Sequence, residues 1–247
     1  MTRRRTLWLA GAMVLALTMP ASGRAEPNEC EVPPDLLEVP VKLPHLAARL
    51  RDKEPVSIVV IGGGSTKGAA AGSPELAYPQ RLQVALAAFY PGVPIIVKNA
   101  GVARQSTRQM VERFPTDVFA EKPVLVVWET GISDAVRGTD TDEFAAALQT
   151  GIEEVKNRAI DIVLVDMQFS RRTSTVIDFE HYLNTIHRVG ELNEVYVFPR
   201  FALMRYWSEQ NVFNFDDVAE SERTKLAAKV YDCIGRTLAE AIRSAAR

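Results

Sequence analysis

The chain has 247 residues, 47 % of them hydrophobic, with 29 basic against 31 acidic residues and a formal net charge of −2. That balance argues against nucleic acid or an anionic membrane surface as a partner, and the apolar content suffices for one sizeable core. Two cysteines and three scattered histidines offer no cluster with zinc spacing, so neither a metal nor any other cofactor is expected.

Residues 1–25 read as a secretory signal peptide. Arg3-Arg4-Arg5 is a basic start, Leu7 to Thr18 is mostly apolar, and Gly23-Arg24-Ala25 offers small residues for cleavage before Glu26. The apolar run is too short for a membrane span of about 20 residues, and no later run approaches that length. An exported, periplasmic or secreted protein with no span in the mature chain is the expectation. Without residues 1–25, which hold four arginines and no acid, 25 basic residues face 31 acidic ones, a net charge of −6. In an exported chain the pair Cys30 and Cys233 is expected to form a disulfide stapling an N-terminal arm to the last helix.

Residues 26–54, rich in proline, read as that arm, with a short helix from His45 to Arg51; residues 55–247 read as one domain. Ile58 to Ile61 is a buried strand that runs directly into Gly62-Gly63-Gly64-Ser65-Thr66-Lys67-Gly68. A helix follows over Gln80 to Tyr90, then a strand from Pro94 to Val97 and a turn at Asn99 to Val102. Ser106 to Ala120 reads as helical, broken near Pro115. Val124 to Trp128 is an aliphatic central strand, followed by Glu129 to Asp134. Thr141 and Asp142 are placed to cap a helix carrying Phe144, Leu148, Ile152 and Val155. Strands at Ile162 to Val165 and Val195 to Phe198 flank a helix over Phe179 to Val189. Met204 to Trp207 are read as one wall of a pocket or, equally well, as core and lid packing, and Leu226, Val230, Ile234, Leu238 and Ile242 form the stripe of a helix over Ser221 to Ser244. Five strands alternating with helices predict an α/β fold: a flavodoxin-like, doubly wound, five-stranded parallel sheet in three αβα layers.

The glycine loop does not fit a phosphate loop, because Lys67 is followed by Gly68 and Ala69. Nor does it fit a dinucleotide fingerprint, because the sixth position from Gly62 is Lys67.

The loops at the strand ends together resemble the SGNH (GDSL-like) hydrolases, and most closely their exported bacterial branch, over roughly residue 55 to the C-terminus. The first block of that superfamily reads Gly-Asp-Ser-x-Thr-x-Gly with the serine as nucleophile. Gly62, Thr66 and Gly68 set the register, so Gly64 falls on the nucleophile position and Ser65 on the variable one. Gly101 matches the second-block glycine that donates to the oxyanion. Ser133, in Gly131-Ile132-Ser133, stands where the third block has asparagine. The last block, Asp-x-x-His, aligned on Tyr231 and Cys233, puts Glu222 at the acid and Lys225 at the base; Asp216 and Asp217 are alternative acids.

Of the four name-giving residues only the glycine is retained, so the resemblance implies an esterase fold with degenerate catalytic blocks. Gly64 has no hydroxyl to form an acyl-enzyme, and Lys225 beside Glu222 is a poor base. Three readings follow. The protein has lost hydrolysis and keeps a cleft for a glycan or acyl-bearing ligand. Alternatively it is an active esterase on acylated carbohydrate or lipid through Ser65, or a structural or protein-interaction domain. Ser65 also reads as a hydroxyl capping the following helix, and Glu222–Lys225 as a surface ion pair.

Overall fold

The structure, a computed structural model, describes residues 29–215 and 218–247. The expected signal peptide and Asp216 and Asp217 lie outside the described residues.

Five runs of β-branched and aliphatic residues form β1 (Val56–Gly62), β2 (Ile95–Gly101), β3 (Leu125–Glu129), β4 (Asp161–Val165) and β5 (Tyr196–Phe198). All pair in parallel, in the order β2-β1-β3-β4-β5. The order reverses at β1, whose neighbours are β2 and β3, so the loops leaving β1, β2 and β3 diverge over a crevice at the C-terminal edge of the sheet.

The helices are α1 (Pro44–Arg51), α2 (Gly64–Lys67), α3 (Tyr78–Phe89), α4 (Thr107–Glu112), α5 (Ile132–Arg137), α6 (Thr141–Lys156), α7 (Arg171–Ser174), α8 (Glu180–Leu192), α9 (Arg200–Glu209) and α10 (Glu220–Ala245). Alternate strand residues feed two separate cores. Ile58, Val60, Leu125, Val127, Val163 and Val165 pack with residues of α1, α3, α9 and α10. Val59, Ile61, Val126, Trp128, Ile162 and Leu164 pack with those of α4, α6 and α8. The expected three-layer, doubly wound α/β sheet is therefore the observed architecture.

Cys30 and Cys233 are disulfide-bonded across 203 residues of sequence, fastening the chain ahead of α1 to the middle of α10. A bridge closing so long a loop contributes about 2–5 kcal/mol, chiefly by restricting the unfolded chain. On the same arm, the Glu31 carbonyl accepts from Trp207 Nε1 at 3.3 Å.

Local differences from the expected elements have simple causes. β2 runs on to Gly101 because Asn99, Ala100 and Gly101 pair in register with Val60, Ile61 and Gly62. The cap of α6 is Asp140, whose carboxylate accepts from the Asp142 and Glu143 amides, rather than Thr141 or Asp142. α4 stops at Glu112, and Pro115 lies in a wide turn over Phe114–Val118. Met204 to Trp207 belong to α9, a helix that buries Leu203 and Trp207.

Candidate active site

β1 ends on a glycine that its neighbours require. A Cβ on Gly62 would lie 2.2 Å from Thr66 Oγ1 and 2.8 Å from Glu129 Cβ. The chain then makes the single turn of α2 and leaves through Gly68, whose φ of 86° favours glycine. Gly101 is equally constrained, because a Cβ there would lie 2.3 Å from the Lys67 backbone nitrogen. Asn99 joins the two segments by donating to the Thr66 carbonyl at 2.7 Å while accepting from the Gly101 amide at 2.9 Å. The amide expected to serve an oxyanion is thus bonded to Asn99.

Gly64 is different. A Cβ built on it meets nothing nearer than Ala103 Cβ at 3.9 Å, and its φ lies outside the left-handed region. Neither packing nor backbone demands glycine here, and the position opens toward the loop after β2. A side chain would fit where the family places its nucleophile.

Ser65 turns the other way. It is 8 % exposed, and its hydroxyl donates to the Glu129 carboxylate at 2.8 Å while accepting from Arg200 Nη1 at 2.8 Å. Glu129 also accepts from the Thr66 amide at 3.1 Å, from the Thr66 hydroxyl, and from Arg200 Nη2 at 3.3 Å. Thr66 Oγ1 shares a further bond of 2.9 Å with the Tyr78 hydroxyl. The side chains of Glu129 and Arg200 are each 2 % exposed, so this is a buried ion pair with the glycine loop wrapped around it.

The electrostatics follow from that burial. Desolvation opposes the Arg200 charge, but Glu129, Tyr78 and Asp166 together hold its pKa above the ordinary value. Burial, reinforced by Glu129, drives the Tyr78 phenol well above its usual range. Asp166, at the end of β4, accepts from the Phe201 amide at 2.7 Å and faces His187 Nε2 at 3.1 Å. It therefore fixes the first turn of α9 and, with it, Arg200. Burial raises the Asp166 pKa, against the opposing pull of His187 and the Phe201 amide.

This geometry bears on nucleophilic attack. The Ser65 oxygen accepts a hydrogen bond from a guanidinium, which withdraws the lone pair that attack requires. Acylation would pass its proton to Glu129 and tie its oxygen into a neutral ester, leaving Arg200 a buried cation with no anion bonded to it, which costs several kcal/mol. The Ser65 hydroxyl ties the glycine loop to this buried ion pair and does not cap α2, which has no side-chain cap.

Ser133 lies in the first turn of α5, after Gly131 with its φ of 96°, and its hydroxyl makes no hydrogen bond to another described residue. The adjacent Ile132 lies 4.0 Å from the place of a Gly63 Cβ, so this segment does border the loop. Glu222 and Lys225 stand on the first turns of α10 as an exposed ion pair of 3.0 Å, touching none of the Ser65 network. The structure thus gathers Gly64, Ser65, Gly101 and the segment around Ser133, and leaves Glu222 and Lys225 paired to each other in solvent. Among the described residues, no group of three or more His, Cys, Asp or Glu side chains is placed to hold a metal ion. No described helix is long and apolar enough to cross a membrane.

Solved structures share this fold at low identity. A protein of Desulfitobacterium hafniense assigned to the G-D-S-L lipolytic family is 21 % identical, with a TM-score of 0.58 over 75 % of this chain and 99 % of that one. The acetylxylan esterase Axe2 of Geobacillus stearothermophilus is 21 % identical, with a TM-score of 0.57 over 76 % of this chain and 94 % of that one. A two-domain esterase active on acetylated mannans, crystallised with mannopentaose, is 18 % identical, with a TM-score of 0.61 over 84 % of this chain and 56 % of that one. Comparison with curated proteins returns no relative. The family model described as the Non-GDSL lipase-like family matches residues 29–247. This chain therefore belongs to the Non-GDSL lipase-like family, within the SGNH-like hydrolase superfamily.

Proposed function

We propose that this protein is an exported, non-hydrolytic member of its family, which keeps the esterase fold as a binding domain for an acyl-bearing or glycan ligand. The observation that carries the reading is the pairing of Gly64 with Ser65. The position facing open space has no side chain, while the only adjacent hydroxyl is held between a carboxylate and a guanidinium. The esterases of similar fold that act on acetylated xylan or mannan support a carbohydrate or acyl ligand by analogy of fold. The basic and apolar character of residues 3–18, with a disulfide further along, supports export.

One observation favours a second reading, an active esterase through Ser65: a carboxylate does touch the Ser65 hydroxyl. Turnover of p-nitrophenyl acetate and butyrate separates the two. On the first reading the wild type and Ser65→Ala hydrolyse both esters at the same background rate. A rate at least tenfold higher in the wild type than in Ser65→Ala establishes the esterase instead.

A further inference from the structure

β2 and β5 are the outer strands of the sheet, and the two edges are finished differently. On β2, side chains take up the outward amides: Val97 donates to Gln83 Oε1 at 2.7 Å and Gly101 to Asn99 Oδ1 at 2.9 Å. On β5, Tyr196 and Phe198 turn their backbone groups toward β4, opposite Val163 and Val165. The Phe198 carbonyl accepts there from the Asp166 amide at 3.3 Å. Alternation along the strand then turns the N–H and C=O of Val197 outward. Among the described residues neither group has a hydrogen-bond partner, and Val197 is only half-buried. An unplugged edge of this kind is a template for another strand.

This edge lies at the floor of a groove of about 910 Å³. One wall is the arm ahead of α1, which packs on the layer of α9 and α10 and offers exposed Pro40 and Pro44 beside half-buried Val41. The other wall is the end of α8 in the opposite layer, with Glu191 and Glu194 exposed. The Val195 amide donates to the Gly190 carbonyl at 2.8 Å, which holds this second wall against β5. Among the described residues Glu191 and Glu194 form no ion pair. Besides His45 and His187, the remaining charged groups of the lining are Glu38, Asp161, Lys42 and Lys156. Lys156 already donates to the Asn193 carbonyl at 2.7 Å. Carboxylates thus outnumber ammonium groups, and the two free glutamates sit together on one wall.

We infer that this groove binds an extended peptide of a partner protein by strand addition to β5, the peptide carrying apolar and basic side chains in alternation. An added strand bonds its backbone to the free N–H and C=O of Val197 and sends successive side chains to opposite faces. Apolar ones meet Pro40, Val41 and Pro44, and lysines or arginines meet Glu191 and Glu194. Shape argues against a second copy of this chain. Its β5 also lies at the floor of a groove, and two recessed edges do not meet. The inference goes beyond the reading of the crevice at Gly64 and stands or falls independently of ester turnover.

Isothermal titration of the disulfide-bonded protein with the probe peptide acetyl-Val-Lys-Val-Lys-Val-Lys-Val-amide tests the assignment. One-to-one binding is expected, and the analogue with glutamate in place of lysine is expected to bind at least about tenfold more weakly. Two further analogues are N-methylated, one on its valine amides and one on its lysine amides. Only alternate amides of a strand face its neighbour, so one analogue should lose at least about tenfold in affinity while the other keeps it. Glu191→Gln/Glu194→Gln should weaken the probe about threefold to tenfold at low salt, at an unchanged melting temperature. Hydrogen exchange at the Val197 amide should slow when the probe is bound. No binding, equal affinity for the glutamate analogue, equal loss or equal retention by the two methylated analogues, no effect of the double glutamate variant, or binding without protection of Val197 would each overturn the inference. A dimer of the free protein with Val197 protected would overturn it too and assign the edge to a second copy.

Discussion

Arg200→Ala is expected to lower the unfolding free energy by about 3–5 kcal/mol, the cost of leaving Glu129 as a buried carboxylate without its cation. No other ion pair among the described residues should match it, because the others are more exposed and an exposed pair is worth about 1 kcal/mol or less. Glu129→Gln should be costly for the mirror-image reason, since Arg200 then loses its only carboxylate within bonding distance among the described residues. The double variant Arg200→Ala/Glu129→Gln should cost less than the two single changes summed, because no uncompensated charge remains. Urea titrations of the four proteins measure this directly. An Arg200→Ala protein within about 1 kcal/mol of wild type would mean that the pair does not anchor the loop.

The second large effect is a contrast between two glycines of one loop. Gly62→Ala drives a methyl into Thr66 Oγ1 and Glu129 Cβ and should cost about 1–3 kcal/mol or more by overpacking. Gly64→Ala meets only Ala103 at van der Waals distance, and replacing a glycine at an unstrained helical position should gain about 0.5–1 kcal/mol. A difference of about 1.5–4 kcal/mol between the variants is therefore expected. It matters because it separates the two reasons a glycine can occupy a site. Gly62 is glycine because the fold has no room, whereas at Gly64 the fold would accept a side chain and only the chemistry has gone. Equal destabilisation by both substitutions would mean that glycine 64 is a packing requirement, and its absent side chain would carry no functional message.

The five-stranded parallel sheet and the disulfide were legible in the sequence because each rests on local or compositional signals. Unbroken aliphatic runs mark buried parallel strands, and a chain with two cysteines offers a single intramolecular pairing. What escaped was long-range. Glu129 ends an otherwise apolar strand, and Arg200 follows Pro199 at the start of a helix; nothing local pairs residues 71 apart. A charged residue at the end of a fully buried strand was the available signal, since such a group persists only with a partner. α9 was missed because its apolar residues are interleaved with Arg205 and aromatic side chains, which blur the helical period. The motif alignment put Lys225 on the base position, but register along one helix does not tell whether a side chain faces the crevice. Here it faces water, in company with Glu222.

The most direct test of Ser65 as a fixed, unreactive hydroxyl is labelling with a fluorophosphonate, followed by peptide mapping. No adduct is expected after hours at millimolar probe, because the Ser65 oxygen is turned from the opening at Gly64 and bonded by Arg200. A stoichiometric adduct on Ser65 that disappears in Ser65→Ala would contradict this and make the protein an esterase with a displaced nucleophile.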